Sequence, residues 1–163
     1  MMSTQHSLQE KLQEKLAKAI GRKLRKIVAS VYLFGLEGLS DAPLCLWFFF
    51  EALPVFRLTG APDGWSLQVD DILPEPVDLG DSGEIVLRDI SHRSIFGKVM
   101  GKDLRSVRLA QSPLQGEIIG MRFDFGQPVQ PLVLNWGDEL YMTEQYPDDA
   151  RDDESQEVPI MPA

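Results

Sequence analysis

The chain has 163 residues, 44 % of them hydrophobic and 25 % charged, which is the composition of an ordinary soluble globular protein with enough apolar side chains for one core. Its single cysteine, Cys45, excludes an internal disulfide, and the apolar neighbours of that residue predict a small buried side chain. The net charge of -9 argues against nucleic acid as the main partner, because such binding depends on neutralising phosphates.

Charge is unevenly distributed along the chain. Residues 1–30 carry seven Lys or Arg and two Glu, a balance of +5, so the remaining residues carry -14. The N-terminus has no basic segment followed by an apolar stretch, and the longest apolar run is too short to cross a membrane. We therefore expect a cytoplasmic protein in which a basic helix is attached to an acidic body, with no membrane or nucleic-acid partner.

The N-terminal segment predicts an α-helix over residues 7–20. Its apolar residues recur at every fourth position, which places them on one helix face: Leu8, Leu12, Leu16 and Ile20. Ser7 is the predicted N-cap, and Gly21 suits the left-handed residue that follows a last turn. An apolar face of plain Leu and Ile, without Trp or Phe, favours a helix that docks on a sheet.

After Gly21 the chain is mainly strand-like. Segments rich in β-branched and aromatic residues, or alternating with period two, are 24–33, 43–50, 55–59, 65–69, 84–90, 104–110, 116–125, 131–135 and 139–143. The run 47–50 is entirely aromatic, so its side chains point to both faces of a strand and need cover from the core or from a second subunit. A short second helix is predicted over residues 95–100, with Ser91 or Ser94 as its cap.

One short unit occurs twice. Residues 20–27 match residues 100–107 at an offset of 80, with an apolar residue, a glycine, a cation, a leucine, an arginine and a β-branched aliphatic in the same order. Further matches follow, and the offset drifts to 73 where 64–67 matches 137–140. We predict an α+β fold with a duplicated helix-plus-antiparallel-strands unit, in which two helices pack on a mostly antiparallel sheet.

These matches also define the domain organisation. A single globular domain over residues 1–147 is predicted to consist of two similar halves, about 7–69 and 91–143. Six of the ten residues from 148 to 157 are acidic, so we expect 148–163 to be a disordered acidic tail.

No catalytic or cofactor motif is present. The two histidines, His6 and His92, lie in no recognisable constellation, and the sequence has no paired-cysteine zinc pattern, phosphate-binding loop or dinucleotide fingerprint. Asp70, Asp71 and Asp81 lack the alternate-position oxygens of a calcium loop. We therefore predict no enzyme activity, no cofactor and no metal site.

Four residues of the second half are the candidates for an interaction surface or a pocket: Asp124, Trp136, Asp138 and Glu139. Hairpins could bring these carboxylates together, and only their separation could show whether they act as an acid/base pair. In the structural alternative, which stays open at this point, Asp138 supports a turn and Asp124 faces solvent.

Residues 134–141, with 99–104 upstream, resemble small uncharacterised bacterial proteins, some of which look like immunity proteins of polymorphic or contact-dependent toxin systems. The resemblance implies a protein that acts by covering the surface of a toxin, and it transfers no catalytic residue. The aromatic first half and the basic helix depart from it.

The leading functional prediction is a non-enzymatic, immunity-like interaction protein whose acidic surface binds a basic partner. One alternative is a small-molecule-binding domain or hydrolase with a site between the halves that uses Asp124, Trp136 or Asp138. The other alternative is a structural homodimer.

Overall fold

The computed structural model describes residues 4–34, 42–112, 116–149 and 157–162. Within these residues there is one α-helix, α1 (Thr4–Ala19), and two short 3₁₀ helices, Gly80–Ser82 and Ile95–Lys98. The strands are β1 (Leu24–Leu33), β2 (Cys45–Phe50), β3 (Phe56–Gly60), β4 (Leu67–Asp70), β5 (Val77–Asp78), β6 (Glu84–Asp89), β7 (Ser106–Gln111), β8 (Ile118–Asp124), β9 (Leu132–Trp136), β10 (Glu139–Thr143) and β11 (Glu157–Pro159).

The strands form two antiparallel sheets. The first has the order β4-β3-β2-β1-β6-β5 and the second the order β10-β9-β8-β7-β11. The predicted antiparallel pairing is confirmed, but the predicted α+β fold with two helices on one sheet is wrong, because the described chain is mostly β with one α-helix.

The second predicted helix is only the 3₁₀ helix Ile95–Lys98, whose cap Ser94 accepts a hydrogen bond from the N–H of Phe96. A 3₁₀ helix has three residues per turn, so Phe96 and Val99, three apart, both reach the core without a longer helix. A Cβ at Gly97 would lie 3.1 Å from the carbonyl oxygen of His92, so the chain is tightly folded here.

One core lies between the two sheets. Phe48 of β2 stacks on Phe123 of β8 with ring centroids 5.5 Å apart, and Phe96 packs edge-on against both rings. Phe56 of β3 stacks on the Phe48 ring at 5.6 Å. The inward-facing side chains of the aromatic run 47–50 are therefore core residues. Of the two kinds of cover that the sequence allowed, the core or a second subunit, these side chains have the first.

The predicted N-terminal helix is present and packs against β4. Leu12 and Leu16 are fully buried in the common core, as the four-residue spacing predicts, and Ile20 packs against it partly buried. Ala19, which the predicted face does not include, is also fully buried. Because the helix begins at Thr4, Ser7 lies within its first turn and is not the cap. An ion pair between Lys15 and Asp71 links the helix to the segment after β4.

The two copies of the repeated unit pair with each other. Gly21 N–H donates to Leu104 O (2.7 Å), and the equivalent Gly101 N–H donates to Leu24 O (2.8 Å). An isolated antiparallel bridge between Lys23 and Asp103 lies at the centre of this crossing. The two segments that match at an offset of 80 residues therefore cross each other and exchange equivalent hydrogen bonds.

The strand registers of the two halves are also equivalent. Ile27 faces Phe48 in the β1–β2 pair, as Val107 faces Phe123 in the β7–β8 pair. The same correspondence relates the β2–β3 pair to β8–β9 and the β3–β4 pair to β9–β10, with offsets of 75 for β2 and β3 and 73 for β4. These matched registers support the internal duplication, which stays a prediction.

After β4 the chain crosses the outer face of the first sheet to reach the opposite edge. In the first half, β4 and β5 are five strand spacings apart, about 24 Å, and the seven steps from Asp70 to Val77 reach about 25 Å at most. The strap 71–76 is thus nearly extended, and its Ile72 carbonyl accepts a hydrogen bond from Trp47 Nε1 at 2.7 Å.

In the second half, residues after β10 cover the outer face of the second sheet. Tyr146 is buried there against Ile119, Leu132 and Leu134. The chain ends in β11, which pairs with β7, so part of the segment predicted to be a disordered tail is an ordered strand. Residues 150–156, which include three of the six acidic residues of that segment, lie outside the described residues.

Cys45 is half-buried, and the sequence-based prediction of a buried thiol is not met. It points to the outer face of the first sheet, where its Sγ lies 3.5 Å from Thr59 Oγ1 and 3.8 Å from an Arg57 nitrogen. Its apolar neighbours in the sequence are mostly on the other face, because side chains alternate along a strand.

Candidate functional site

Three of the four predicted site residues lie on one hairpin, and the fourth does not. Trp136 ends β9, Asp138 is in the turn, and Glu139 begins β10, whereas Asp124 ends β8. Since Gly120 faces Leu134, Trp136 lies beside the start of β8, six residues from Asp124, or about 20 Å along the strand. Asp124 and Asp138 therefore do not form an acid/base pair.

Asp124 has a local structural role. Its Oδ1 accepts a hydrogen bond from Gly126 N–H at 2.7 Å, which closes the turn after β8. This is the Asx-type support that aspartate gives to turns. The structure thus places Asp124 in a separate turn, apart from the other three candidates.

The turn between β9 and β10 has two central residues, Gly137 and Asp138, both with φ of 62°. Left-handed backbone at both positions is the geometry of the two-residue hairpin that matches the natural twist of strands. Asp138 adopts it because a short polar side chain tolerates left-handed φ. Its Oδ1 lies against the β3–β4 turn, 3.9 Å from where a Cβ on Gly60 would be.

The buried side chain of Asn135 fixes the hairpin to the first sheet. Its side chain is 2 % exposed, and Nδ2 donates to the Ser66 carbonyl at 3.0 Å. A Cβ at Gly60 would lie 3.1 Å from that Nδ2, so glycine makes room for the amide. Asn135 Oδ1 has no hydrogen-bond partner within the described residues. The position of the hairpin relative to the first sheet is therefore set by a buried polar contact.

Aromatic and acidic side chains alternate on the outer face of the hairpin. Trp136 is partly buried, and its Nε1 donates to Asp149 Oδ2 at 3.3 Å. Tyr141 is 39 % exposed, and its hydroxyl donates to Glu139 Oε2 at 3.2 Å. This hydrogen bond, and then the negative charge of Glu139, raise the pKa of Tyr141.

The hairpin is strongly acidic. Residues 123–149 contain six Asp or Glu and no Lys or Arg. Within the described part of the chain, no cation pairs with Asp138, Glu139, Glu144 or Asp149. We call the following set the acidic hairpin: Trp136, Asp138, Glu139, Tyr141, Glu144 and Asp149.

Sequence reasoning selected Trp136, Asp138 and Glu139 but missed Tyr141. The signal was available, because residues 139 and 141 are two apart in a strand and must share a face. It missed Glu144 and Asp149 for another reason. Their proximity depends on residues 144–149, which fold back over the outer face of the second sheet, and sequence spacing contains no sign of that path.

Two surface grooves lie elsewhere. One, of about 420 Å³, is lined by residues of β5 and β6, and the other, of about 390 Å³, lies between α1 and the segment 158–161. Neither is lined by any of the four predicted site residues. No group of three or more His, Cys, Asp or Glu that could hold a metal ion occurs in the described ranges.

No protein-family model, curated protein or solved structure matches this chain. Among the residues that the structure describes, no helix combines the length and the apolar character needed to cross a membrane.

Proposed function

We propose that this is a non-enzymatic interaction protein that binds a basic protein partner through the acidic hairpin. The supporting observation is the concentration of four carboxylates without cation partners, within the described residues, around one exposed tyrosine and one partly buried tryptophan. Elsewhere on the surface, Asp71 pairs with Lys15 and Glu51 with Arg25, whereas Glu75, Asp81 and Glu84 also have no cation partner within the described residues and provide the comparison used below.

The two kinds of side chain have different roles in this proposal. Exposed carboxylates attract a basic surface over a distance of about 10 Å and accelerate encounter, but each adds little to affinity. Tyr141 and Trp136 supply the large, rigid surfaces that act as anchors in protein interfaces. Charge therefore sets the rate of association, and the aromatic pair sets the lifetime of the complex.

The partner proposed for an immunity-like role is a toxin domain with a basic surface. The proposal uses the resemblance of residues 134–141, which coincides with the hairpin, and the net charge of -9. Such a protein inhibits by covering a surface, so it needs complementarity and no catalytic group.

The test is quantitative affinity capture from cells of the native host with three forms of the full chain. The first is the wild type, the second carries Asp138→Asn, Glu139→Gln and Glu144→Gln, and the third carries Glu75→Gln, Asp81→Asn and Glu84→Gln. The last two have the same net charge, and the control substitutions lie at exposed positions of the strap 71–76, the 3₁₀ helix Gly80–Ser82 and β6.

We expect a basic protein that the wild type and the control variant both enrich and that the hairpin variant loses. Capture that is equal for all three forms, or the absence of any protein that depends on the hairpin, would contradict the proposal.

A further inference from the structure

The two sheets have four edges, and three of them are protected within the described residues. The edge strand β4 is covered by α1. The edge strand β5 has only two residues, and β11 has three and contains Pro159. Short strands, proline and covering helices are the means by which proteins prevent pairing with foreign strands.

The fourth edge strand, β10, has none of these protections. It has five residues, Glu-Leu-Tyr-Met-Thr, with no lysine, proline or bulge, and it pairs with β9 in an unbroken register from Glu139–Trp136 to Thr143–Leu132. Its counterpart in the first half is β4, which α1 covers. The second half has a 3₁₀ helix of four residues where the first has α1, so no helix among the described residues covers β10.

The hydrogen-bond pattern shows which groups of β10 face outward. Phe123 N–H donates to Pro131 O, so alternate residues of β9, starting at 131, bond to β8. The intervening β9 residues bond to Glu139, Tyr141 and Thr143. The N–H and C=O groups of Leu140 and Met142 consequently point away from β9, and within the described residues no further strand is hydrogen-bonded to them.

Charge indicates what can occupy this edge. On its outer face a ligand strand would run beside Glu139 and Tyr141, with Asp138 and Glu144 at the two ends of β10. Lys or Arg at alternate positions of an extended segment would meet these carboxylates, since alternate side chains of a strand share a face.

A second copy of the chain fits this edge poorly. Antiparallel pairing of two β10 strands about Tyr141 would place Asp138 of each copy opposite Glu144 of the other. Like charges directly opposite each other destabilise a strand pair, and each copy carries a net charge of -9.

We propose that β10 binds an extended peptide segment with Lys or Arg at alternate positions, which adds to the second sheet as a sixth strand. The inference rests on the proposed function and specifies its mode of binding. Main-chain hydrogen bonds to Leu140 and Met142 supply affinity, and the acidic hairpin supplies the selection for basic side chains.

The experiment uses the full-length protein and an eight-residue synthetic peptide in which Lys and Val alternate. A peptide with the same composition in two blocks removes the alternation, and one with alternating Glu and Val reverses the charge. Binding is followed by fluorescence anisotropy, and the amide exchange rates of Leu140 and Met142 are followed by NMR. We expect the alternating Lys peptide to slow both amides by at least about tenfold, and the other two peptides to leave them unchanged.

A matched pair of variants tests the backbone role directly. Met142→Pro removes the outward N–H without breaking a hydrogen bond within the sheet, which proline tolerates on an edge strand. Met142→Ala removes the same side chain and keeps the N–H. We expect the proline variant to lose binding of the alternating peptide and the alanine variant to retain it.

The outcomes separate this inference from the proposed function. If the peptides bind, and binding is lost with Glu139→Gln and Glu144→Gln but is insensitive to Met142→Pro, strand addition is wrong and the acidic surface remains the binding site. Binding that is insensitive to all of these changes would contradict both. Protection of Leu140 and Met142 without peptide, together with a dimer mass by light scattering, would show that a second copy occupies the edge and would overturn the inference.

Discussion

At the scale of single residues, Phe48 joins the two sheets through three aromatic contacts. Its ring contacts Phe56 in its own sheet, Phe123 in the other sheet and Phe96 of the 3₁₀ helix, all with centroids between 5.5 and 5.6 Å. No other aromatic side chain in the described residues touches all three of these elements. A void at this position would therefore have rigid neighbours on both sides.

We expect Phe48→Ala to lower the free energy of unfolding by about 3–5 kcal/mol, because the lost contacts and the remaining cavity both destabilise the fold. Chemical denaturation followed by tryptophan fluorescence measures the change. Phe34→Ala is the control, because Phe34 is 53 % exposed and its removal should cost less than about 1 kcal/mol. Equal losses in the two variants would contradict this account of the core.

Asp63 makes stability depend on pH. Burial alone would raise the pKa of this carboxyl, but hydrogen bonds from the Ser66 hydroxyl and from the backbone N–H groups of Ser66 and Trp65 outweigh it and lower the pKa. The unfolded chain titrates near the usual value of about 3.9. A carboxyl with a lowered folded-state pKa stabilises the fold above that value, and the contribution is lost as the pH falls through the folded-state pKa.

We therefore expect acid to destabilise wild type more than Asp63→Asn. The free energy of unfolding should fall less steeply in the variant as the pH is lowered from about 4. Urea titrations over this range measure the slopes. Asp81→Asn, at an exposed position, is the comparison variant, and an Asp63→Asn slope equal to that of wild type would refute the assignment.

At the scale of elements, β11 is held by one buried carboxylate. Both Glu157 and Arg122 have side chains only 7 % exposed, and they form an ion pair at 3.1 Å. Arg108 forms a second ion pair with Glu157, and the Tyr146 hydroxyl donates to it at 2.7 Å. Residues of β7, of β8 and of the segment 144–149 after β10 therefore all contact the last strand through the Glu157 side chain.

We expect Glu157→Ala to destabilise the protein by about 3 kcal/mol, because the buried guanidinium of Arg122 loses its carboxylate partner. Exchange of the Ile160 amide, which donates to Val107 O, should accelerate as β11 opens. Glu157→Gln keeps the shape and the acceptor for Tyr146 and should lose less. Unchanged stability in Glu157→Ala would show that β11 is held by its main-chain bonds alone.

The accuracy of prediction differed among elements for physical reasons. The helix α1 was predictable because its four-residue spacing has a single interpretation, and strands such as β2 were predictable from their aromatic content. The type of helix at residues 95–100 was not predictable, since the spacing of Phe96 and Val99 suits both an α-helix and a 3₁₀ helix. At the candidate site, the turn Gly137-Asp138 was visible in the sequence. The distance of Asp124 from that turn was not, because it depends on the antiparallel pairing of β8 and β9, which puts the end of β9 beside the start of β8.

At the scale of the whole molecule, the two halves share one core. Leu46 and Phe48 of the first half and Val107 and Phe123 of the second are buried in the same cluster. Each half alone would expose one entire sheet face to water. With that face exposed, one half buries too little apolar surface to offset the conformational entropy that folding removes.

We therefore expect residues 1–90 and residues 91–163, expressed separately, to remain unfolded, and the full chain to unfold in one cooperative transition. Calorimetry should give equal calorimetric and van't Hoff enthalpies for the full chain. Cooperative unfolding of the isolated fragment 1–90 would contradict the shared core.

The repeated sequence predicted equivalence between the halves but not how they meet. Matching residues such as Gly21 and Gly101 show that two segments have similar conformations. Whether those segments lie apart or cross each other depends on the packing of the sheets, which no local pattern encodes. The reciprocal hydrogen bonds between Gly21 and Leu104 and between Gly101 and Leu24 supply that information.

The bridge between Lys23 and Asp103 influences which halves can pair with each other. The side chains form an ion pair at 3.8 Å and are 45 % and 58 % exposed, so the pair adds at most about 1 kcal/mol to stability. Two first halves meeting in the same way would place Lys23 against Lys23, and two second halves would place Asp103 against Asp103. The crossing therefore favours pairing of a first half with a second half and disfavours pairing of two identical halves. One chain with two different halves can encode this preference, whereas a symmetric pair of identical units cannot.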